Sequence, residues 1–448
     1  MNIKDYTYYY FIGIGGIGMS SLARYFKLLG KTVLGYDKTE TTLTKTLVDE
    51  DMIIHYEDNI SYIPENVNPQ NTVVIYTPAV FSSHSELLYF KENGYTIHKR
   101  SAVLGLITRT TICLAVAGTH GKTTTSSILG HILKVAQLPS TAFVGGIVEN
   151  YNSNMIFGGD EISVVEADEF DRSFLQLSPD FACITSMDAD HLDIYGKKEE
   201  LENSFRDFGE IVSQQLFVKK GIDIPNALTY AVEENADYFA DNIALRDGYF
   251  TFDLTYPSGK ITDIKMTLPG RHNIENAVAA IAMSMEMGIT QKNIKEALAS
   301  FKGIKRRFSR HISSKGKIII DDYAHHPTEL NAIIQATQNF YPNKSILGIF
   351  QPHLFSRTRD FADDFAKSLA ALENLILIEI YPAREAPIDG INSSWLADKI
   401  EAIRGHRPQV VSLQLALQEI EKYTTEIILL MGAGNIDILY EPLKKQFP

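Results

Sequence analysis

The sequence predicts an α/β chain of three domains built largely on parallel sheets, and three observations carry that expectation. A length of 448 residues is what about three domains occupy. Apolar runs of strand length alternate with stretches of helical spacing from end to end, as they do where crossover helices join parallel strands. Two glycine-rich loops each stand between such a strand and such a helix.

The first domain is expected over residues 1–108. A strand at 6–12 runs into Gly13-Ile14-Gly15-Gly16-Ile17-Gly18-Met19, followed by a helix over 20–29. A second strand over 32–36 ends at Asp37. Gly13, Gly15 and Gly18 satisfy G-x-G-x-x-G, and Asp37 stands where the dinucleotide fingerprint carries its acidic residue, so a NAD-type site is the default reading. The same physics serves any diphosphate, because glycines admit close backbone approach and a helix N-terminus favours the charge. A strand at 72–76 and a short helix opened by Lys99-Arg100-Ser101 complete this Rossmann-like unit.

The second domain, expected over 109–309, starts with the apolar run 111–116 and the loop Ala117-Gly118-Thr119-His120-Gly121-Lys122-Thr123-Thr124-Thr125, then a helix. The full G-x-x-x-x-G-K-[ST] pattern requires glycine at position 116, where this chain has Val116; what stands is a shortened G-x-x-G-K-T. Strand, glycine loop and helix still form the geometry in which backbone N–H groups cradle phosphates. Lys122 would reach the β/γ-phosphates, and Thr123 or Thr124 would offer a hydroxyl to Mg²⁺. Two polar clusters follow at strand ends, where open α/β sheets place ligands: Glu166-Ala167-Asp168-Glu169 and Asp188-Ala189-Asp190-His191. Glu166 is the first choice for a metal carboxylate, with Asp168 or Glu169 as alternatives and His191 as an extra ligand. The section 214–266 reads as antiparallel hairpins. Pro269 to Asn273 then caps an apolar helix over 274–287.

The third domain, expected over 310–448, is again Rossmann-like. Its strands end in polar clusters: Asp321-Asp322-Tyr323-Ala324-His325-His326, Gln351-Pro352-His353, Tyr381 to Glu385 and Gly432-Ala433-Gly434-Asn435. Arg307, just before it, has the character of an arginine finger, set against the blander reading of a solvated basic patch over 302–310. His325 and His326 beside Asp322 are candidate acid–base residues or simple helix caps.

Composition narrows the function. A formal net charge of −13 without a long basic tract argues against nucleic acid or an acidic membrane as the main partner. No apolar run reaches about 18 residues and no leader pattern opens the chain. Cys113 and Cys183 sit in apolar runs and read as buried free thiols, as a reducing cytoplasm allows. Two phosphate-binding loops and a third domain together suggest an ATP-driven ligase. A NAD-dependent dehydrogenase with a spurious P-loop and a nucleotide-binding regulator without turnover are the rivals from other classes.

Taken together, these residues resemble the Mur ligase family over essentially the whole chain. The resemblance rests on 13–19, 118–125, 166–169 with Asp171 and Ser173-Phe174, and 188–191. It continues through Arg271-His272-Asn273-Ile274-Glu275-Asn276, Arg306-Arg307-Phe308, 321–328, Phe350 to His353 with Arg357-Thr358-Arg359, and 432–435. It implies a three-domain α/β fold with a central P-loop ATPase-type domain. It further implies ATP and Mg²⁺ as cofactors, and UDP-N-acetylmuramate and L-alanine as partners joined through an acyl phosphate, with a sister activity on a recycled peptide as the near alternative. That chemistry serves peptidoglycan synthesis, and through it cell-wall biogenesis, cell shape and cell division, in the cytoplasm, by a monomer or weak homodimer.

On the same resemblance, Gly13, Gly15, Gly16, Gly18, Met19 and Asp37 hold the UDP-sugar in place of NAD. Gly118, Thr119, His120, Gly121, Lys122, Thr123, Thr124, Asn273, Asn276, Arg307 and Asp322 hold ATP. Thr123, Glu166 and His191 hold the metal. Lys122, His191, Arg307 and Asp322 are the catalytic set, and His325, His353 and Arg357 face the substrate carboxylate or the amino acid. His191, Asp322 and His325 remain open as the general base. Leu354 stands where relatives often carry arginine, which leaves anion binding there to Arg357.

Overall fold

A computed structural model describes residues 3–188, 198–246, 249–383 and 385–447. The chain is mixed α/β, and among the described residues it forms three sheets. Contacts divide it into two compact units, one holding residues 1–244, 251–265 and 275–302, the other 245–250, 266–274 and 303–448.

The first unit contains two sheets. The N-terminal one has five parallel strands in the order 53–55, 32–36, 8–12, 72–76, 96–99. Its middle strand, Tyr8–Ile12, is apolar throughout because helices cover both faces, as a parallel sheet demands. The helix after the first glycine loop runs Ile17–Leu28, beginning three residues before the expected start, so Gly18 is helical and the helix N-terminus lies inside the loop. Met19 to Phe26 are buried in succession, because the helix is enclosed on more than one side. Tyr9 stacks on Phe26 at 4.0 Å, and Tyr25 meets Phe143 of the central sheet edge-on at 5.3 Å, so one apolar core runs through both sheets of this unit.

The central sheet has ten strands, in the order 259–266, 249–256, 238–246, 228–232, 215–219, 181–184, 112–117, 162–167, 140–148, 153–157. The P-loop strand Ile112–Ala117 lies between Phe181–Ile184 and Ile162–Ala167, parallel to both. Its two neighbours therefore deliver Glu166 to Glu169 and Thr185 to Asp188 to the same edge as the loop. Helix Lys122–Val135 is buried from Thr123 to Leu133, and Gly130 provides the closest approach: a Cβ there would stand 2.5 Å from Ala142 Cβ.

One expectation needs correction, and one strand pair was not foreseen. The strands at 215–219, 228–232 and 238–246 pair in parallel, where antiparallel hairpins were expected. The pair Ser140–Val148 and Ser153–Phe157, which the reading passed over, forms an antiparallel edge with a register shift between Phe143 and Val148.

The second unit carries a six-stranded sheet in the order 309–312, 318–322, 427–431, 346–350, 374–378, 409–411. All of its pairings are parallel except the first, Ser309–Ile312 with Ile318–Asp322. No helix among the described residues is long and apolar enough to cross a membrane.

Candidate functional site

The P-loop turns on two glycines with positive φ, Gly118 at +128° and Gly121 at +85°; Gly121 caps the helix in the left-handed region, where a Cβ would be penalised. Thr185, at the end of the neighbouring strand, pins the loop by donating its hydroxyl to the carbonyls of Ala117 (3.0 Å) and His120. Ser186 Oγ accepts from the His120 amide (2.8 Å) and pairs with the Thr119 hydroxyl (2.8 Å), which in turn accepts from the Asp188 amide (3.1 Å). His120 Nε2 stands 3.6 Å from Asp188. His191, expected as metal ligand and catalytic residue, lies outside the described residues.

Lys122 opens the helix. Its ammonium donates to the Gly118 carbonyl at 2.6 Å and to both oxygens of Glu169 at 2.7 and 2.9 Å. Burial works against the lysine charge, but Glu169, Asp168 and Glu166 outweigh it and raise the pKa, so the side chain is held as a cation at the mouth of the loop. Glu169, an alternative metal ligand from sequence, is committed to this pair and is 0% exposed.

Glu166 takes the other position. It accepts from Thr123 Oγ1 (3.1 Å), from Ser126 Oγ (3.2 Å) and from the Gly145 amide (2.5 Å). A threonine hydroxyl beside a carboxylate at a helix N-terminus is an all-oxygen donor pair, and with phosphate oxygens it fits Mg²⁺. Thr123, rather than Thr124, is the hydroxyl bonded to Glu166. Asn276 backs the loop: Thr125 Oγ1 donates to its Oδ1 at 3.3 Å, and a Cβ on Gly121 would stand 2.6 Å from that oxygen.

In the first glycine loop, Gly13 has φ +88°, and the amides of Gly13 and Ile14 donate to the Tyr36 carbonyl. Gly16 caps the helix with no side-chain bond. Asp37 Oδ2 accepts from the Gly15 amide at 2.7 Å, so the carboxylate at the fingerprint position shapes the loop itself. Met19 has a side chain 2% exposed that belongs to the core, and its amide is bonded to the Gly16 carbonyl. Arg100, which sequence reasoning did not single out as a site residue, lines a pocket with Ser101, Glu166, Asp168 and Ser173. Its guanidinium and Cδ lie 3.0 Å from where a Cβ on Gly18 would be. The only trace in the sequence was a basic residue at the start of a short helix.

The second unit gathers a different set. Asp322 ends its strand and accepts from the amides of Phe308 (2.8 Å) and Ala324 (2.9 Å). Burial pushes its carboxyl up to about 6 against the pull of those amides and of Arg307. His325 Nδ1 contacts the Tyr323 carbonyl at 2.9 Å, and its ring meets His353 at 6.0 Å. His353 stacks on Tyr381 at 5.7 Å and 14°. Burial, His325 and Arg357 hold its pKa down at about 4, so it is neutral at pH 7. His325 and Arg357 are thus near enough to His353 to act on its charge. His326 is the helix cap, accepting from the Thr328 amide at 3.3 Å. Asn273 Nδ2 donates to the Pro269 carbonyl at 2.7 Å, holding the turn before its helix.

Comparison with known proteins covers nearly the full length. Residues 8–111 match the family model described as "Mur ligase family, catalytic domain", 116–284 the "Mur ligase middle domain" and 306–434 the "Mur ligase, glutamate ligase domain". The chain is 52% identical over 448 residues to the UDP-N-acetylmuramate--L-alanine ligase of Flavobacterium psychrophilum, covering 100% of this chain and 99% of that protein. Among solved structures it resembles the UDP-N-acetylmuramate-alanine ligase of Thermotoga maritima, with TM-score 0.82, 26% identity and 98% of both chains covered. A murein peptide ligase from Psychrobacter arcticus shares the fold at TM-score 0.68, 20% identity and 98% coverage of both chains. With these matches spanning both glycine loops and the second unit's cluster, the chain belongs to the Mur ligase family.

Proposed function

We propose that this chain is an ATP-dependent ligase that joins L-alanine to the lactyl carboxylate of UDP-N-acetylmuramate, a step of peptidoglycan precursor synthesis in the cytoplasm. The observation that carries the reading is the pairing, within one compact unit, of a P-loop whose Lys122 is held charged and whose Thr123 lies against Glu166 with a second glycine loop that opens onto a helix N-terminus. The full-length likeness to the Flavobacterium ligase supports the choice of substrates.

In this reading residues 1–108 take the UDP-sugar, 109–309 take ATP, and 310–448 bring the amino acid and complete the ATP site. The lactyl carboxylate attacks the γ-phosphorus of ATP; the bond to the β,γ-bridging oxygen breaks, giving an acyl phosphate and ADP. Lys122 and the loop amides neutralise the charge that this transfer spreads over the phosphoryl oxygens. Thr123 and Glu166, with His191, would hold Mg²⁺, whose part is to screen the phosphate charges. The neutral amine of L-alanine then attacks the acyl carbon, and the tetrahedral adduct expels inorganic phosphate and leaves the amide. His191, Asp322 and His325 are the candidate bases for the amine proton. Asn273, Asn276, Arg307 and Asp322 contact the nucleotide, while His353, neutral, and Arg357, cationic, receive the carboxylate or the amino acid.

The test is phosphate release with ATP, Mg²⁺ and UDP-N-acetylmuramate, with and without L-alanine. Release requiring both substrates, with an alanylated product by mass, is the expected result. Equal release with a tripeptide in place of L-alanine would move the assignment to the peptide-recycling activity. No release in any combination would refute it.

A further inference from the structure

The two phosphate-binding loops of the first unit are tied by one strand pair, Ser140–Val148 with Ser153–Phe157. Where its register shifts, between Phe143 and Val148, the Gly145 amide donates to Glu166, the carboxylate beside Thr123. Across from that shift, between Ser153 and Met155 on the neighbouring strand, stands Asn154, which is 0% exposed. Its Nδ2 donates to the carbonyl of Ile17 and to Ser20 Oγ at 2.8 Å. Ile17 is the first residue of the helix that begins in the Gly13–Gly18 loop. Asn154 Oδ1 accepts from Arg24 Nη1. Arg24, 4% exposed, is itself fixed by a bidentate contact to Glu50, with Nε and Nη2 each 2.8 Å from a carboxylate oxygen.

A fully buried amide is costly unless its donors and acceptor are met, and here both sides are. Apolar packing also holds the same helix against the same strands through Tyr25 and Phe143. What directional hydrogen bonds add is register: they fix where along the strand pair the helix N-terminus sits. Reaction between two bound ligands is sensitive to such register, because a misplacement of about 1 Å can cost about 100-fold in rate.

We infer that Asn154 is a positioning residue: through Ile17 and Ser20 on one side and the Gly145–Glu166 contact on the other, it sets the distance between the two phosphate-binding loops. The inference rests on the reading above, in which one loop takes the UDP-sugar and the other ATP. Asn154 touches neither ligand in this role, and each loop keeps its own glycines and helix N-terminus without it.

The test compares Asn154→Ala and Ser20→Ala with the wild-type chain, measuring kcat at saturation and the Kd of ATP·Mg²⁺ alone and of UDP-N-acetylmuramate alone by calorimetry. For Asn154→Ala, kcat is expected to fall about 10–100-fold while both Kd values stay within about threefold. Ser20→Ala removes one of the two acceptors and leaves the Ile17 carbonyl, so a smaller fall, about threefold, is expected. A folded Asn154→Ala protein with kcat within twofold of wild type, or one that loses UDP-sugar affinity while kcat is kept, overturns the inference. If Asn154→Ala does not fold, an unchanged kcat in Ser20→Ala overturns it equally. A role in stability alone would lower the melting temperature without this split between kcat and Kd. Failure of the wild-type chain to release phosphate would instead refute the ligase reading, so the two failures are distinguishable.

Discussion

Replacing Glu169 by glutamine removes the negative half of the ion pair at the mouth of the P-loop while keeping its shape. Lys122 then loses one of its two bonds to position 169 and the nearest of the carboxylate charges around it, and retains the Gly118 carbonyl at 2.6 Å and the more distant charges of Asp168 and Glu166. Taking away one partner of a buried pair costs about 3–5 kcal/mol when nothing compensates. Here the carbonyl and the glutamine oxygen remain and Lys122 is 17% exposed, so about 2–3 kcal/mol is the better expectation. At about 2–4 °C per kcal/mol for a unit of this size, the apo protein should melt about 4–12 °C lower. ATP should offset about half of the loss, because its phosphates offer the ammonium a new anionic partner without competition from Glu169. An affinity gain of tenfold would raise the stabilisation at a fixed ATP concentration from about 2.7 to about 4.1 kcal/mol. Calorimetric melting of wild type and Glu169→Gln, each with and without ATP·Mg²⁺, measures both effects. An apo shift below about 1 °C, or an ATP-induced shift smaller in the variant than in wild type, would refute the idea that Glu169 stands in for a phosphate.

Other predictions follow from the same geometry. Lys122→Ala should abolish phosphoryl transfer while calorimetry shows UDP-sugar binding retained; loss of both would contradict the separate placement of the two loops. Gly121→Ala puts a Cβ at φ +85° and 2.6 Å from Asn276 Oδ1, so ATP affinity should fall at least tenfold, beyond the roughly 1–2 kcal/mol of backbone strain, whereas an unchanged Kd would count against the loop conformation. His353, held at about 4 against an ordinary value near 6.5, should stay neutral down to pH 5.5 when followed by its NMR ring signals. Because its folded pKa is depressed, its contribution to stability is full above about pH 6.5 and is lost as pH falls toward 4. A titration midpoint near 6.5 would contradict its buried, cation-flanked setting.

Much of the fold was legible because glycine loops, strand ends and helical spacing are local signals. Three strands of the first sheet and the P-loop strand were read from the sequence, whereas the short strands 53–55 and 96–99 were not. The failures have physical causes. Ser140–Phe157 hides its strands behind Gly145-Gly146 and an asparagine-rich turn, so neither run shows sustained alternation. The segments between 215–219, 228–232 and 238–246 are too short for a crossover helix, which made hairpins the natural expectation for strands that are in fact parallel. Glu166 and Glu169 stand only three residues apart, and no sequence rule says which faces the lysine and which the threonine. Arg100 reaches its pocket only through tertiary packing.

The enclosed helix Ile17–Leu28 also bears on how the chain can be cut. Tyr25 and Phe143 bury each other, and Lys4 reaches Asp160 at 3.0 Å. A recombinant fragment ending near residue 108 would therefore leave aromatic surface bare to water, and it should clump or be digested where the full-length chain survives. The smallest piece worth expressing for crystallisation or ligand screening carries the N-terminal sheet and the P-loop sheet together.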